Sequence, residues 1–319
     1  MFRNLSDWFW RIHIGKLASD RKAWQHAVES VALKWLGRSP SVEGQTTDVE
    51  VWQKAGLVLG LGEQLPVSEK SRLSCWLTAV SEQNMRPEHL LLAYALHIQT
   101  DAINAYVESF KESTVPYRDW VKDIRFVDTL GMTVPYLHGI GNDALALRQL
   151  AEYDAAMLKN LYPAHAFDLS LGLPLGVFDW GRGCGWYILA LIEANDLRGN
   201  NERIVRLAKA LLSLQREDGW YGAFLFVRGS RNESSGTCLI GRLMVKAYEL
   251  TEDKVYLQSA CLCEKALMTA TRRNGAIDYC QGDTHGIGNY SLSFSVMPFV
   301  QGMALKLSKE IDAHLDANA

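Results

Sequence analysis

The run Asp179-Trp180-Gly181-Arg182-Gly183-Cys184-Gly185-Trp186-Tyr187 brings one guanidinium and two indoles together beside glycines that let a backbone pass close to a bound molecule. An arginine there can take a carboxylate through two parallel hydrogen bonds, and a tryptophan offers a flat apolar face to a sugar ring. Three glycines in five residues are costly inside a helix, so the stretch before Trp186 is expected to be loop. Apolar residues at helical spacing then run through Leu189, Leu191, Ile192 and Ala194. Arg182 and Trp186 would thus sit at a helix N-terminus, where unpaired N–H groups favour an anion. A structural glycine turn around a buried tryptophan is the alternative reading.

Asp128 is a second candidate. It follows Phe126-Val127 and precedes Leu130 and Met132, apolar neighbours that disfavour ionisation and raise a carboxyl pKa toward the range of a general acid. Capping the helix from Thr129 to Leu137 is its other reading. His165-Ala166-Phe167-Asp168 offers an imidazole, with Asp168 as loop anchor or orienting partner. Glu233-Ser234-Ser235-Gly236-Thr237 reads as a helix start with a serine cap. The six cysteines are scattered in apolar surroundings, as small buried hydrophobes are. Cys261-Leu262-Cys263 lacks CxxC spacing and no histidine cluster completes it, so no metal is expected.

These groups need a scaffold, and the chain is long enough to build one. It has 319 residues, 48% hydrophobic and 22% charged, with a net charge of −3 that leaves no basic footprint for nucleic acid. The N-terminus is interrupted by Asp7, Arg11 and Lys16 and lacks the apolar core of a signal peptide. No stretch approaches ~20 uncharged apolar residues, so neither a membrane span nor a membrane partner is expected, and the expected location is cytoplasmic. Helical spacing recurs at 5–17, 22–36, 48–61, 69–81, 87–99, 101–111, 142–159, 186–196, 201–214, 236–250, 254–271 and 292–309.

The helices also pair. Residues 188–222, 242–278 and, more faintly, 90–110 each read as apolar helix, short polar turn and second helix. Hairpins repeating every ~50 residues must stack to bury their faces. One helix of each pair is the more apolar, which favours closure into an all-α toroid of about six hairpins, one domain over 1–319. The polar and aromatic clusters at Phe126, His165, Trp180 to Trp186 and Glu233 fall at the starts of alternate helices. A closed ring would gather them at its mouth, as a ligand pocket requires.

In this order the motifs carry a resemblance over about residues 118–305. Arg125-Phe126-Val127-Asp128-Thr129-Leu130-Gly131-Met132-Thr133-Val134-Pro135 resembles the (W/F)xDxLxMxxP element of the unsaturated glycuronyl hydrolases of glycoside hydrolase families 88 and 105. His165 to Asp168 is similar to their HxWD element, Trp180 to Trp186 to WxRGxGW, Asp218-Gly219-Trp220 to DGxW, and Glu233 to Thr237 to E(T/S)SG(T/S). The resemblance implies an (α/α)6 barrel that removes a 4,5-unsaturated uronic acid from the non-reducing end of lyase-generated oligosaccharides. A carboxylic acid would protonate the vinyl ether at C4, water would add at C5, and the hemiketal would collapse to a ring-opened keto sugar. It implies Asp128 as acid and base, and His165, Arg182, Trp186, Trp180 and Phe126 around an anionic oligosaccharide, with no cofactor. Phe126 stands where the family usually has Trp, and Cys184 where Asn is common. The stretch Gln83-Asn84-Met85-Arg86-Pro87-Glu88-His89-Leu90-Leu91 contains no counterpart of the family's second, upstream aspartate; Glu88 is its nearest acid. An inverting glycosidase or sugar epimerase, with Glu88, Asp168 or His285 facing Asp128, and a non-catalytic saccharide-binding relative are the other readings.

Overall fold

The computed structural model describes residues 19–41, 49–109, 123–157 and 161–315. The helix expected over 5–17 lies outside them. Twelve α-helices occur among the described residues: α1 (Arg21–Leu36), α2 (Val51–Leu61), α3 (Val67–Thr78), α4 (Pro87–Leu96), α5 (Asp101–Glu108), α6 (Val127–Gly139), α7 (Asp143–Met157), α8 (Gly181–Ile192), α9 (Asn200–Leu212), α10 (Ser234–Thr251), α11 (Lys254–Ala270) and α12 (Pro298–Leu315).

Their packing closes a ring. In turn α2 packs on α4, α4 on α6, α6 on α8, α8 on α10, α10 on α12, and α12 back on α2. The outer helices α1, α7, α9 and α11 lie against this ring. The sequence shows why. Every residue of α8 is buried, as are all but one of α2, whereas α9 buries only Asn200, Ile204, Leu207, Ala208 and Leu211 and turns Glu202, Arg206 and Lys209 to solvent. Closure depends on small residues where α2 meets α12: a methyl group at Gly302 would lie 1.9 Å from the Gly56 carbonyl oxygen, and one at Gly60 would lie 2.0 Å from that of Gly302. The all-α, (α/α)6 expectation holds.

Three local expectations are corrected. The glycines before Trp186 are helical, because α8 begins at Gly181. Their small size is needed against neighbours: added methyls would stand 2.6 Å from the Gly222 oxygen at Gly181, 2.4 Å from the Trp180 ring at Gly183 and 2.7 Å from Leu239 at Gly185. Tight packing thus outweighs low helix propensity. Residues 165–168 start no helix. They run into a strand, β4 (Ala166–Asp168), flanked by β3 (Ile124–Phe126) and β5 (Leu173–Leu175) in one antiparallel sheet; the other short strands are β1 (Pro40–Ser41), β2 (Val49–Glu50), β6 (Cys280–Gln281) and β7 (Phe294–Ser295). Finally, α10 is capped by Glu233, whose carboxylate accepts from the backbone N–H groups of Ser235 and Gly236, and not by a serine.

All six cysteines are free, and four are buried. Burial pushes the Cys184 thiol up to about 12, which makes it inert. No helix among the described residues is long and apolar enough to cross a membrane.

Candidate functional site

The small sheet explains how Asp128 and His165 meet. Phe126 pairs with Ala166, and the Val127 N–H donates to the His165 carbonyl at 3.0 Å, so the chain enters α6 directly beside the imidazole. Nε2 of His165 lies 3.8 Å from Oδ2 of Asp128, too far for a direct hydrogen bond. Oδ2 of Asp128 and Nδ1 of His165 are both buried and unpartnered. Asp128 is not the helix cap; that position belongs to Phe126, which makes no side-chain cap.

Burial pushes the Asp128 carboxyl above its ordinary range, against the opposite pull of His165 and Arg182. Burial likewise lowers His165, with Arg182 lowering it further and Asp128 opposing. The pair is thus biased toward a protonated acid beside a neutral imidazole, the state a general acid needs near neutrality.

Aromatic rings wall His165. Trp180 approaches at 4.6 Å between centroids, Tyr290 at 5.4 Å and Phe126 at 5.7 Å. Tyr290 comes from the connection between β6 and β7, outside the motifs of the sequence. The structure packs its ring on Trp180 and Phe224 as well, and its hydroxyl oxygen accepts from the Val177 N–H at 3.3 Å.

Arg182 and Trp186 depart from expectation. Arg182 is 3% exposed and donates from both terminal nitrogens to backbone carbonyls, to Gln281 and Gly282 at 2.7 Å each. The guanidinium fork is therefore committed to the protein, and its charge rather than its hydrogen bonds acts on the site. Trp186 is 2% exposed, its ring 5.6 Å from Trp52 and 5.2 Å from Phe299, close over Gly131 of α6. It is a core ring that fixes the distance between α6 and α8, not a platform for a sugar. Its place in the second turn of α8 directs it into the ring, a consequence of the helix starting earlier than expected.

Other candidates fall away from the chemistry. Asp168 accepts from the Ser170 backbone and hydroxyl and from the Leu171 N–H, closing the turn between β4 and β5. It does not orient His165. His285 is exposed on a hairpin closed by its N–H to Asn289. Glu88 is buried in the first turn of α4. The neighbouring His89 is fully buried, stacked on Trp76 and lowered by burial to about 4, so it stays neutral. Trp220 is core, edge-on to Tyr279. Among the described residues no group of three or more His, Cys, Asp or Glu is placed to hold a metal ion.

Two acids that the sequence did not single out share the mouth. Glu50 holds the N-cap position of α2 without bonding to the helix, and Asp283 follows β6; burial raises both the Glu50 and the Asp128 carboxyls, with Asp283 raising and Arg182 lowering each. A signal existed for Glu50. It is an acid one residue before an inner helix, as Glu233 is.

Residues 177–311 match the model of Glycosyl Hydrolase Family 88. Among solved structures, a Salmonella enterica serovar Paratyphi A protein described as a possible member of glycoside hydrolase family 105 superposes with a TM-score of 0.70 at 16% identity, covering 92% of this chain and 95% of that one. A Klebsiella pneumoniae protein described in the same words gives a TM-score of 0.70 at 16% identity, over 93% and 94%. The unsaturated glucuronyl hydrolase of Bacillus sp. GL1, described as responsible for glycosaminoglycan degradation, gives 0.63 at 14% identity, over 91% and 96%. No curated protein matches the chain.

Proposed function

Taking the chain as a glycoside hydrolase of the family 88 and 105 type, we propose that it removes a 4,5-unsaturated uronic acid from the non-reducing end of oligosaccharides released by polysaccharide lyases. The observation that carries this reading is the Asp128 carboxyl, held at the ring mouth beside His165 with Oδ2 buried and unpartnered. A native fold seldom leaves such an atom without a partner unless a ligand or water completes it.

The chemistry follows from the protonation bias. Protonated Asp128 delivers its proton to C4 of the vinyl ether, and positive charge develops at C5, stabilised by the ring oxygen. The resulting Asp128 carboxylate takes a proton from water as the water oxygen bonds to C5. The hemiketal then opens with loss of the neighbouring sugar, and the carboxyl is again protonated. His165, neutral and 3.8 Å away, is placed to hold the attacking water between itself and Asp128. Phe126, Trp180 and Tyr290 wall the imidazole with rings that exclude bulk water. The positive charge of Arg182 favours an anionic sugar without a direct bond to it. Protonating a vinyl ether at carbon calls for an acid of raised pKa, and no step here routes through a metal or organic cofactor.

Incubation with lyase-generated disaccharides tests the reading through the ultraviolet absorbance of the conjugated uronate. The wild type is expected to abolish it, and Asp128→Asn to lower kcat/KM by ~10²–10⁴-fold, the contribution of a general acid. Equal rates in the two proteins would reassign the acid. No turnover of glycosaminoglycan-, pectin- or ulvan-derived substrates by the wild type would refute the activity.

A further inference from the structure

The family-like pattern lacks an upstream aspartate at Gln83 to Leu91, yet the mouth does not lack a second acid. The acids at the entries to α2, α6 and α10 differ in how far the protein satisfies them. Glu233 is fully buried and accepts from Ser235 N and Oγ, Gly236 N and Gln281 N. Nothing is left for a ligand. Glu50 occupies the same N-cap position on α2 but makes no cap bond to the helix. Its carboxylate accepts from the Trp52 indole N–H through Oε2 alone. Trp52 in turn packs on Trp186 and Phe299, so the hydrogen bond ties a half-buried carboxyl to an aromatic cluster of the core.

Position supports a shared task with Asp128. In the ring α4 separates α2 from α6, while α8 lies on the other side of α6. Trp52, which holds Glu50, packs on Trp186 at 5.6 Å, and Trp186 lies against Gly131, one turn after Asp128, so both acids stand at the starts of inner helices joined by one aromatic contact chain. His165, 3% exposed, adds an unpartnered ring nitrogen to that cluster.

We propose that Glu50 is the second substrate-facing carboxyl group of this site: held by Trp52 and with Oε1 open, it orients the hydroxyl groups of the terminal uronic acid so that C4 meets Asp128. The proposal rests on the hydrolase reading for the identity of the sugar. The hydroxyls donate to Oε1 while Oε2 remains on the indole. Burial and Asp283 raise Glu50 above the ordinary carboxylate range, and Trp52 and Arg182 oppose this, as expected for an acid kept out of bulk water to meet a polar ligand.

Three variants separate orientation from structure. Glu50→Gln keeps an acceptor for Trp52 and the side-chain volume, Glu50→Asp keeps the charge but withdraws it, and Glu50→Ala removes both contacts. Each is assayed for kcat and KM on unsaturated disaccharides from a glycosaminoglycan lyase and a rhamnogalacturonan lyase. Binding of the same disaccharides is followed by tryptophan fluorescence, and Tm is measured in parallel. Glu50→Gln and Glu50→Ala are expected to lower kcat/KM about 10- to 100-fold, the worth of a hydrogen bond to a charged acceptor, with Tm nearly unchanged for the glutamine variant. Glu50→Asp is expected to recover part of the loss. Wild-type kcat/KM and affinity in both variants, with Asp128→Asn inactive, would overturn the role of Glu50 and leave the hydrolase reading intact. Should the wild type bind the disaccharides without converting them, a weaker affinity in the variants sustains Glu50 as a sugar contact while the activity fails. Absence of binding to the wild type overturns both.

Discussion

Glu233 and Asp128 each stand at the entry to an inner helix, yet the Glu233 carboxylate collects four hydrogen bonds from the protein while Oδ2 of Asp128 collects none. Around Glu233 the wall of the mouth is closed: Gln281 accepts the Trp180 indole N–H at 2.9 Å through its side chain, and its backbone carbonyl accepts from Arg182. Around Asp128 the wall is left open, with His165 and Glu50 also carrying unused capacity. Polar groups satisfied internally hold a shape, and groups left short of protein partners carry a stability cost that a ligand or water relieves. The difference separates scaffold from chemistry among residues of the same type in one ring.

The contrast is broken most directly by exchanging effects between the walls. Asp128→Asn is expected to abolish most activity at no cost in stability, because a neutral amide suits a site that already disfavours the charged form. Glu233→Ala should do the reverse. It strands buried donors at Ser235, Gly236 and Gln281, each worth ~1–3 kcal/mol when unsatisfied, so a loss of about 3 kcal/mol or more is expected in chemical denaturation. Loss of activity through Glu233 with stability intact would mean that the closed wall also touches substrate.

Trp186→Phe makes a smaller and sharper test. As a ring clamped between Trp52, Phe299 and Gly131, it should cost about 1–3 kcal/mol while leaving KM unaltered. A raised KM with unchanged stability would restore the sugar-stacking role that its spacing in the sequence suggested.

That last residue shows where the sequence was legible and where it was not. Apolar periodicity and the repeated hairpins revealed the inner and outer helices, because each depends on local spacing. The motif order located Asp128, His165 and Trp180, which the fold does bring together. Two kinds of information were out of reach. Gly181, Gly183 and Gly185 read as loop because propensity is local, whereas their helix is imposed by Gly222, Trp180 and Leu239 pressing on it. Tyr290 and Gln281 were passed over because their partners, Val177 and Trp180, are far away in the chain, and strands of three residues such as Ala166–Asp168 are too short to show alternation. Arg182 was read from its spacing as a partner for a carboxylate, whereas its guanidinium is held by two backbone carbonyls distant in the chain, those of Gln281 and Gly282.

The least of the expected effects is carried by protons alone. Burial holds Asp128 above its ordinary value of 3.8 and His165 below its ordinary value of 6.5. For Asp128 the folded state binds the proton more tightly than the unfolded chain. Its contribution to stability is therefore fully present below the unfolded value and is lost as pH rises through the folded one. For His165 the folded state disfavours the proton, so its contribution is present above 6.5 and is lost as pH falls below that value. Asp128→Asn removes the first dependence and leaves an imidazole without an acid beside it. Denaturation measured across pH should thus show the variant gaining on the wild type as pH rises above the ordinary carboxyl value. Parallel curves for wild type and Asp128→Asn would mean that Asp128 titrates like an exposed carboxyl, and the open wall would then lose the electrostatic property that distinguishes it from the closed one.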